Sequence, residues 1–206
     1  MHIHSTPEWM HRWFSGFTWR KPTDRKVLYI TFDDGPITMT EWILDVLRDY
    51  NAKATFFCVG ENVMRNPQIF RRTLAEGHAV GNHTYNHLSG WTNSFDRYMA
   101  NAALCLSEME KHGAVCRLFR PPYGRITSQK AAALRNRYEI IMWDVLTCDY
   151  SPSIRPEDCL NNSIAVTRPG SIAVFHDNLK ADRNIRYALP RYLAHFADLG
   201  FTFEAL

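Results

Sequence analysis

From residue 27 onward, short apolar runs alternate with longer amphipathic segments about seven times, and few folds accommodate that order. The runs at residues 27–32, 54–59, 78–82, 116–120, 139–143, 171–175 and 201–203 have the length and the β-branched or aromatic content of strands. Helical patterns fill residues 40–50, 94–113, 128–136 and 156–166. Asn66 and Pro67 open a further helix as cap and first-turn proline, and Gly77 closes it. A last helix over 186–199 contains Pro190, which predicts a late start or a kink. Strand and helix in strict alternation imply a parallel sheet with helices outside it. Closed or nearly closed, that is a (β/α) barrel; an open doubly wound sheet is the alternative. No Gly-x-Gly-x-x-Gly or Walker loop is present to bind a nucleotide. No linker, repeat or low-complexity tract divides the 206 residues, which predicts a single domain.

The polar residues of interest fall just past the carboxyl ends of the predicted strands. Asp33 and Asp34 follow the first, His83 and His87 the third, and Arg120 with Tyr123 the fourth. Asp144 and Asp149 follow the fifth, and His176 with Asp177 the sixth. In an α/β barrel those ends share one rim, where active sites are built. Two adjacent carboxylates repel unless a cation or proton separates their roles, so one of Asp33 and Asp34 is expected on a metal and one free to move protons. The four-residue spacing of His83 and His87 predicts two imidazoles on one side of a helical turn. With Asp34 they complete two nitrogens and one oxygen, a set for zinc, or cobalt, nickel or manganese, with a position left for water. Taken singly, the histidines also read as a hydrogen-bonded surface pair, and the acids as a helix cap beside a solvated charge.

Composition excludes rather than assigns. The net charge of +3 comes from scattered basic residues, which argues against a nucleic-acid partner. No apolar run approaches membrane-spanning length. The five cysteines are odd in number, without a Cys-x-x-Cys pair, and are expected to be reduced. The first residues lack a basic start followed by an apolar core. A cytoplasmic location is the expectation. Oligomeric state is not readable.

The motifs together resemble the polysaccharide deacetylases of carbohydrate esterase family 4, the chitooligosaccharide and peptidoglycan deacetylase group that carries the NodB homology domain. Thr31-Phe32-Asp33-Asp34-Gly35-Pro36 is similar to the family's first motif, which makes Asp33 the general base and Asp34 a metal ligand. His83-Thr84-x-x-His87 is similar to the second, which supplies two histidine ligands. Arg120-Pro121-Pro122-Tyr123 is similar to the third, where the arginine orients the base and the tyrosine backbone N–H holds the oxyanion. Val174-Phe175-His176 is similar to the fifth, with valine for the usual leucine, and makes His176 the general acid. The resemblance implies a distorted (β/α)7 barrel, a divalent metal with zinc foremost, and a hydrolase that removes N-acetyl groups from amino-sugar glycans. It places the catalytic domain at residues 26–206 behind an arm at residues 1–25.

The fourth motif departs from the family pattern, Asp-x-x-Asp-Trp. Aligned on Trp143, Leu146 replaces the first aspartate, Asp149 keeps the second, and Tyr150 replaces the tryptophan. The resemblance gives the lost aspartate the support of the general-acid histidine. Asp144, two residues upstream on the same strand face, is expected to take over part of that role. Asp177 is expected to be structural. Tyr85, Trp91, Tyr123 and Tyr150 are candidates for sugar stacking or for rim packing. The arm is unusually aromatic (Trp9, Trp13, Phe14, Phe17, Trp19) and is expected to pack across the barrel's exterior or closed end, with a membrane surface as the alternative. Two competing functions stay open at this stage. One is an amidase acting on a small amide or cyclic imide; the other is a non-catalytic glycan-binding module, favoured only by Leu146.

Overall fold

A computed structural model describes residues 4–206. In chain order the elements are α1 (Glu8–Trp13), β1 (Val27–Asp33), α2 (Thr38–Asp49), β2 (Ala54–Cys58), α3 (Gly60–Arg65), α4 (Pro67–Ala75) and β3 (Ala79–Asn82). There follow α5 (Phe95–Glu110), β4 (Leu118–Phe119), α6 (Ser128–Arg135), β5 (Glu139–Ile140), β6 (Val145–Leu146), α7 (Pro156–Val166), β7 (Ile172–His176), α8 (Asp182–Asp198) and β8 (Thr202–Phe203). The sheet runs β5-β4-β3-β2-β1-β7-β6, with β8 also pairing with β1. Every strand pair is parallel. The distorted (β/α)7 barrel is therefore the fold, and the open doubly wound alternative falls.

Strands β1 and β2 are the middle of the sheet, which is why their sequences are apolar on both faces. Phe32 stacks on Phe56 across that pair and also meets Phe175 on β7. The long helices bury one face each. On α8, Ile185, Leu189, Tyr192, Leu193 and Phe196 are all buried. That face explains why α8 starts at Asp182 and runs through Pro190 rather than starting late. Burial of five large side chains at about 1.5–3 kcal/mol each outweighs a proline cost of about 3 kcal/mol. Helix α3 lies outside the expected pattern, because its six residues are too few to show periodicity.

The barrel is not closed by its own strands: β5 and β6 end the sheet without pairing to each other. The arm spans the seam. Thr18 forms a bridge with Ile141, just after β5, and Ser5 forms one with Val145 in β6. Thr18 N–H donates to Ile140 O at 2.9 Å, Met142 N–H to Thr18 O at 2.8 Å, and Leu146 N–H to His4 O at 2.9 Å. The segment pairs with both edge strands of the sheet. Trp19 is 5% exposed, whereas Trp13 is 80% exposed. Residues 1–3 of the arm lie outside the described residues.

Candidate metal centre and cleft

Strand β1 ends in Asp33, and the chain turns at Asp34 with φ 93°, a left-handed conformation that redirects the second carboxylate. Asn62 fixes the turn by donating its amide to Asp34 O at 2.7 Å. Beyond β3, His83 is buried and His87 half-buried. The segment between them is not helical. Thr84 (φ 62°) and His87 (φ 54°) are left-handed, and that double reversal brings the two rings to 5.0 Å. The expected helical turn is thus replaced by a tighter loop with the same outcome, two imidazoles facing one point.

That point is also faced by Asp34. Its Oδ1 lies 3.1 Å from His87 Nε2 and 3.7 Å from His83 Nε2. Among the described residues these three form a group whose ligand atoms all lie within 4.8 Å of one another. His83 Nδ1 is 2.7 Å from Arg120 O. A carbonyl only accepts, so Nδ1 carries the proton and Nε2 presents its lone pair. Burial lowers the His83 pKa to about 4, which keeps the ring neutral, as a ligand must be. Burial alone raises the Asp34 carboxyl, but the hydrogen bond from His87 and the charge of His176 outweigh it and hold it ionised. Two imidazoles and one carboxylate suit a divalent metal of the zinc type.

Sequence reasoning missed two supports of this centre. Asn178 donates from Nδ2 to Asp34 Oδ2 at 2.6 Å. Its own Oδ1 accepts from the N–H groups of Lys180 and Ala181, at 2.9 and 3.1 Å, which fixes the amide orientation. The Tyr123 hydroxyl lies 3.1 Å from His87 Nδ1. Both contacts depend on loop conformation, for which strand and helix patterns carry no signal.

Asp33 points to the same cavity but is held differently. Arg120, fully buried, donates to Asp33 Oδ1 at 2.7 Å and to Thr31 Oγ1 at 2.7 Å. Its other nitrogens donate to Ile141 O and Met142 O, and the guanidinium stacks on Phe57 at 4.1 Å. Asp33 Oδ2 remains on the side of His83, 4.0 Å from its Nε2. Directly across the β1–β7 pair, His176 is the register partner of Asp33. Its Nδ1 donates to Asp149 Oδ1 at 2.8 Å, and its backbone N–H donates to Asp149 Oδ2 at 2.8 Å. Burial alone lowers the His176 pKa, but the adjacent Asp149 carboxylate, with Asp34 and Asp33, raises it to about 9.

Asp144 does not take part. It lies before β6, where Asp144 N–H donates to Ile172 O at the start of β7. Its carboxylate accepts from Ser171 Oγ at 2.6 Å and from Arg168 at 3.1 and 3.2 Å. His176 is four residues further along β7, about 13 Å at strand rise. The expectation that Asp144 supports His176 is therefore corrected. Asp149 gives the support, and Leu146 forms part of the cleft wall. Asp177 is a strut, as expected: Gly35 N–H and Thr40 Oγ1 donate to its two oxygens at 2.7 and 2.6 Å. Burial raises its pKa to about 8.

These residues surround a cleft of about 670 Å3, whose walls include Tyr123, Arg125, Trp143, Tyr150 and Lys180. Tyr123 and Tyr150 thus line the cleft. Tyr85 is half-buried, with its hydroxyl at Met64, and packs as part of the rim.

Comparison with known proteins agrees with this geometry. The family model for polysaccharide deacetylase matches residues 20–139. A peptidoglycan-N-acetylglucosamine deacetylase from Bacillus cereus is 36% identical over 191 residues, covering 90% of this chain and 89% of the relative. A chitooligosaccharide deacetylase from Azorhizobium caulinodans is 35% identical over 165 residues, covering 75% of each. A crystal structure of a peptidoglycan N-acetylglucosamine deacetylase superposes with a TM-score of 0.89 at 29% identity, covering 95% of this chain and 94% of that one.

Proposed function

The chain belongs to the polysaccharide deacetylase family, and from that premise we propose that it hydrolyses N-acetyl groups on amino-sugar glycans with one divalent metal, zinc foremost and cobalt, nickel or manganese as alternatives. One observation carries the reading. Three ligand atoms from Asp34, His83 and His87 converge beside Asp33, an acid that is not needed for ligation and is oriented by Arg120. A glycan-binding module has no use for such a second carboxylate. The relatives named above act on peptidoglycan or chitooligosaccharide, which supports an N-acetylated glycan as substrate here.

Asp34, His83 and His87 would hold a divalent ion, which would supply Lewis acidity toward the acetamide carbonyl and the attacking water. Asp33 Oδ2 accepts a proton from the attacking water, since Oδ1 is held by Arg120. The backbone N–H of Tyr123 donates to the oxygen on which charge develops. His176, protonated and held by Asp149, gives its proton to the departing sugar nitrogen. Water oxygen ends on the acetyl carbon, the carbon–nitrogen bond breaks, and the products are acetate and a free amine. Leu146, the only feature favouring a non-catalytic module, loses that weight because Asp149 holds the acid. Residues 1–25 act as a structural arm to the catalytic unit at residues 26–206. The five cysteines are all buried, which fits a reducing compartment such as the cytoplasm. Among the described residues no helix is long and apolar enough to cross a membrane.

The test is acetate release from chitin oligomers and from peptidoglycan, before and after chelation and after zinc is returned. Activity is expected to vanish with chelator and to return with metal. Asp33→Asn is expected to lose about 10²–10⁴-fold in kcat with zinc binding retained. Acetate release that survives exhaustive chelation sinks the reading.

A further inference from the structure

Arg125 is the one arginine among the described residues that lines the cleft. Arg65, Arg137, Arg155 and Arg186 each face a carboxylate, and the exposed Arg12, Arg71, Arg97, Arg117 and Arg183, which like Arg125 form no ion pair among the described residues, lie away from the cleft. Arg125 is exposed, lines the cleft, and forms no ion pair among the described residues. It is nevertheless held in place. Its guanidinium lies 5.3 Å from the centroid of the Trp91 ring and 5.8 Å from that of Tyr123. The two rings are each 61% exposed. Trp91 is itself pinned, with its indole N–H donating to Ile126 O at 3.2 Å. The backbone beneath is stitched by Gly90 N–H to Arg125 O at 2.9 Å and by Lys130 Nζ to Gly90 O at 2.8 Å. A side chain parked against two exposed aromatic rings, with its charge uncompensated, is pre-ordered for a partner that is absent from the protein itself.

The acidic groups of the cleft do not supply that partner. Asp33 is paired with Arg120, Asp34 belongs to the metal centre, and Asp177 is buried against Gly35 and Thr40. Lys180 adds a second exposed cation on the loop after β7, again without a carboxylate partner among the described residues. The reactive acetamide is neutral and is handled at the metal centre. A planar guanidinium fork fits a carboxylate through two parallel hydrogen bonds, which an ammonium does not reproduce.

We propose that Arg125, on its Trp91–Tyr123 shelf, binds a carboxylate carried by the glycan next to the sugar that loses its acetyl group, so that the cleft selects carboxylated over neutral N-acetylated glycans. The proposal rests on the deacetylase reading and narrows its substrate class. Of the two glycans on which the relatives act, peptidoglycan bears a lactyl ether on alternate sugars, whose carboxyl is a free acid where the stem peptide has been removed, and chitin oligomers bear none. The expected discrimination is about tenfold in Kd, the size of one charge-assisted hydrogen-bonded pair at a half-open site. It weakens as salt rises, because the pair is reached by solvent.

The experiment separates binding from turnover. The zinc-loaded full chain carrying Asp33→Asn is titrated with three tetrasaccharides: a chitin oligomer, a peptide-free peptidoglycan oligomer with free lactyl carboxylates, and the same oligomer with those carboxylates amidated. The acidic oligomer is expected to bind about tenfold more tightly than its amidated form. Arg125→Gln is expected to abolish that ratio, Arg125→Lys to retain part of it, and Lys180→Met to retain most of it. Equal binding of the acidic and amidated forms overturns the proposal. So does a ratio that survives Arg125→Gln, or one that Lys180→Met abolishes equally, since the second result assigns the effect to the general field of the cleft. Thermal melts identify a variant that has failed to fold, and Arg125→Lys then decides. Acetate release by the unsubstituted enzyme is measured in parallel. Its absence from all three sugars, with the binding ratio intact, removes the hydrolase reading and leaves the carboxylate site standing.

Discussion

His176 shows how one residue's chemistry is decided by its neighbours. Burial favours the neutral ring, yet Asp149 at 2.8 Å, with Asp34 and Asp33 behind it, lifts the pKa to about 9. A proton donor works only while protonated, so the rate falls as pH rises through that value; a cation on Asp34 takes up part of the negative charge and brings the fall to lower pH. In Asp149→Asn the main stabiliser of the imidazolium is gone. The descending limb of kcat/KM against pH is expected to shift by at least one unit toward acid, with a loss of about 10- to 100-fold at pH 8. A descending limb identical to that of the unsubstituted enzyme rules out Asp149 as the partner that tunes the acid. Asp33, Asp34, His83, Arg120 and His176 were legible because each lies at or just past the end of a strand-like run, and strand ends share a rim; His87 was legible from its spacing to His83. The choice between Asp144 and Asp149 was not legible. It turns on β6 being only Val145–Leu146, so that Asp144 falls at the far end of β7 and Asp149 folds back beside His176.

At the scale of elements, the loops rather than the strands build the centre. The strands deliver backbone to the rim, and left-handed residues at Asp34, Thr84, His87 and Tyr123 then turn side chains inward. Alternation of apolar residues reports strands well and says nothing of such reversals, which is why the histidine pair read as a helical turn. The loop after β1 is braced by Asp177 from the loop after β7, and the brace leaves no room at Gly35. A Cβ built there lies 1.8 Å from Asp177 Oδ2 and 2.4 Å from its Cγ. Asp177 cannot retreat without losing its bonds from Gly35 N–H and Thr40 Oγ1. Gly35→Ala is therefore expected to cost about 3 kcal/mol through overpacking, which lowers Tm by about 6–12 °C for a domain of this size. It also displaces Asp33 and Asp34, so kcat is expected to fall at temperatures where the variant is still folded. A melting curve superimposable on that of the parent shows that the strut is free to yield.

For the molecule as a whole, the same segment closes the barrel and reaches the catalytic machinery. The aromatic arm was legible as something that packs, but its pairing was not. The bridges are single residues, Ser5 with Val145 and Thr18 with Ile141, too short to leave an alternating pattern. Their consequence extends inward. Met142 N–H donates to Thr18 O, and Met142 O accepts from the Arg120 guanidinium at 2.8 Å, which in turn holds Asp33. Trp19, next to that bridge, anchors the arm: it is buried, donates its indole N–H to Phe14 O at 3.1 Å, and stacks on His11 at 5.6 Å. Trp19→Ala removes the anchor and is expected to cost about 3–5 kcal/mol, or about 6–20 °C in Tm. If the arm only stabilises, kcat measured well below the new Tm equals that of the parent. If it also fixes Met142 and through it Arg120, kcat falls while KM changes little, because the general base loses its orientation before the cleft loses its shape. The second outcome is the expected one, and steady-state kinetics at 15 °C with zinc saturating decide between them.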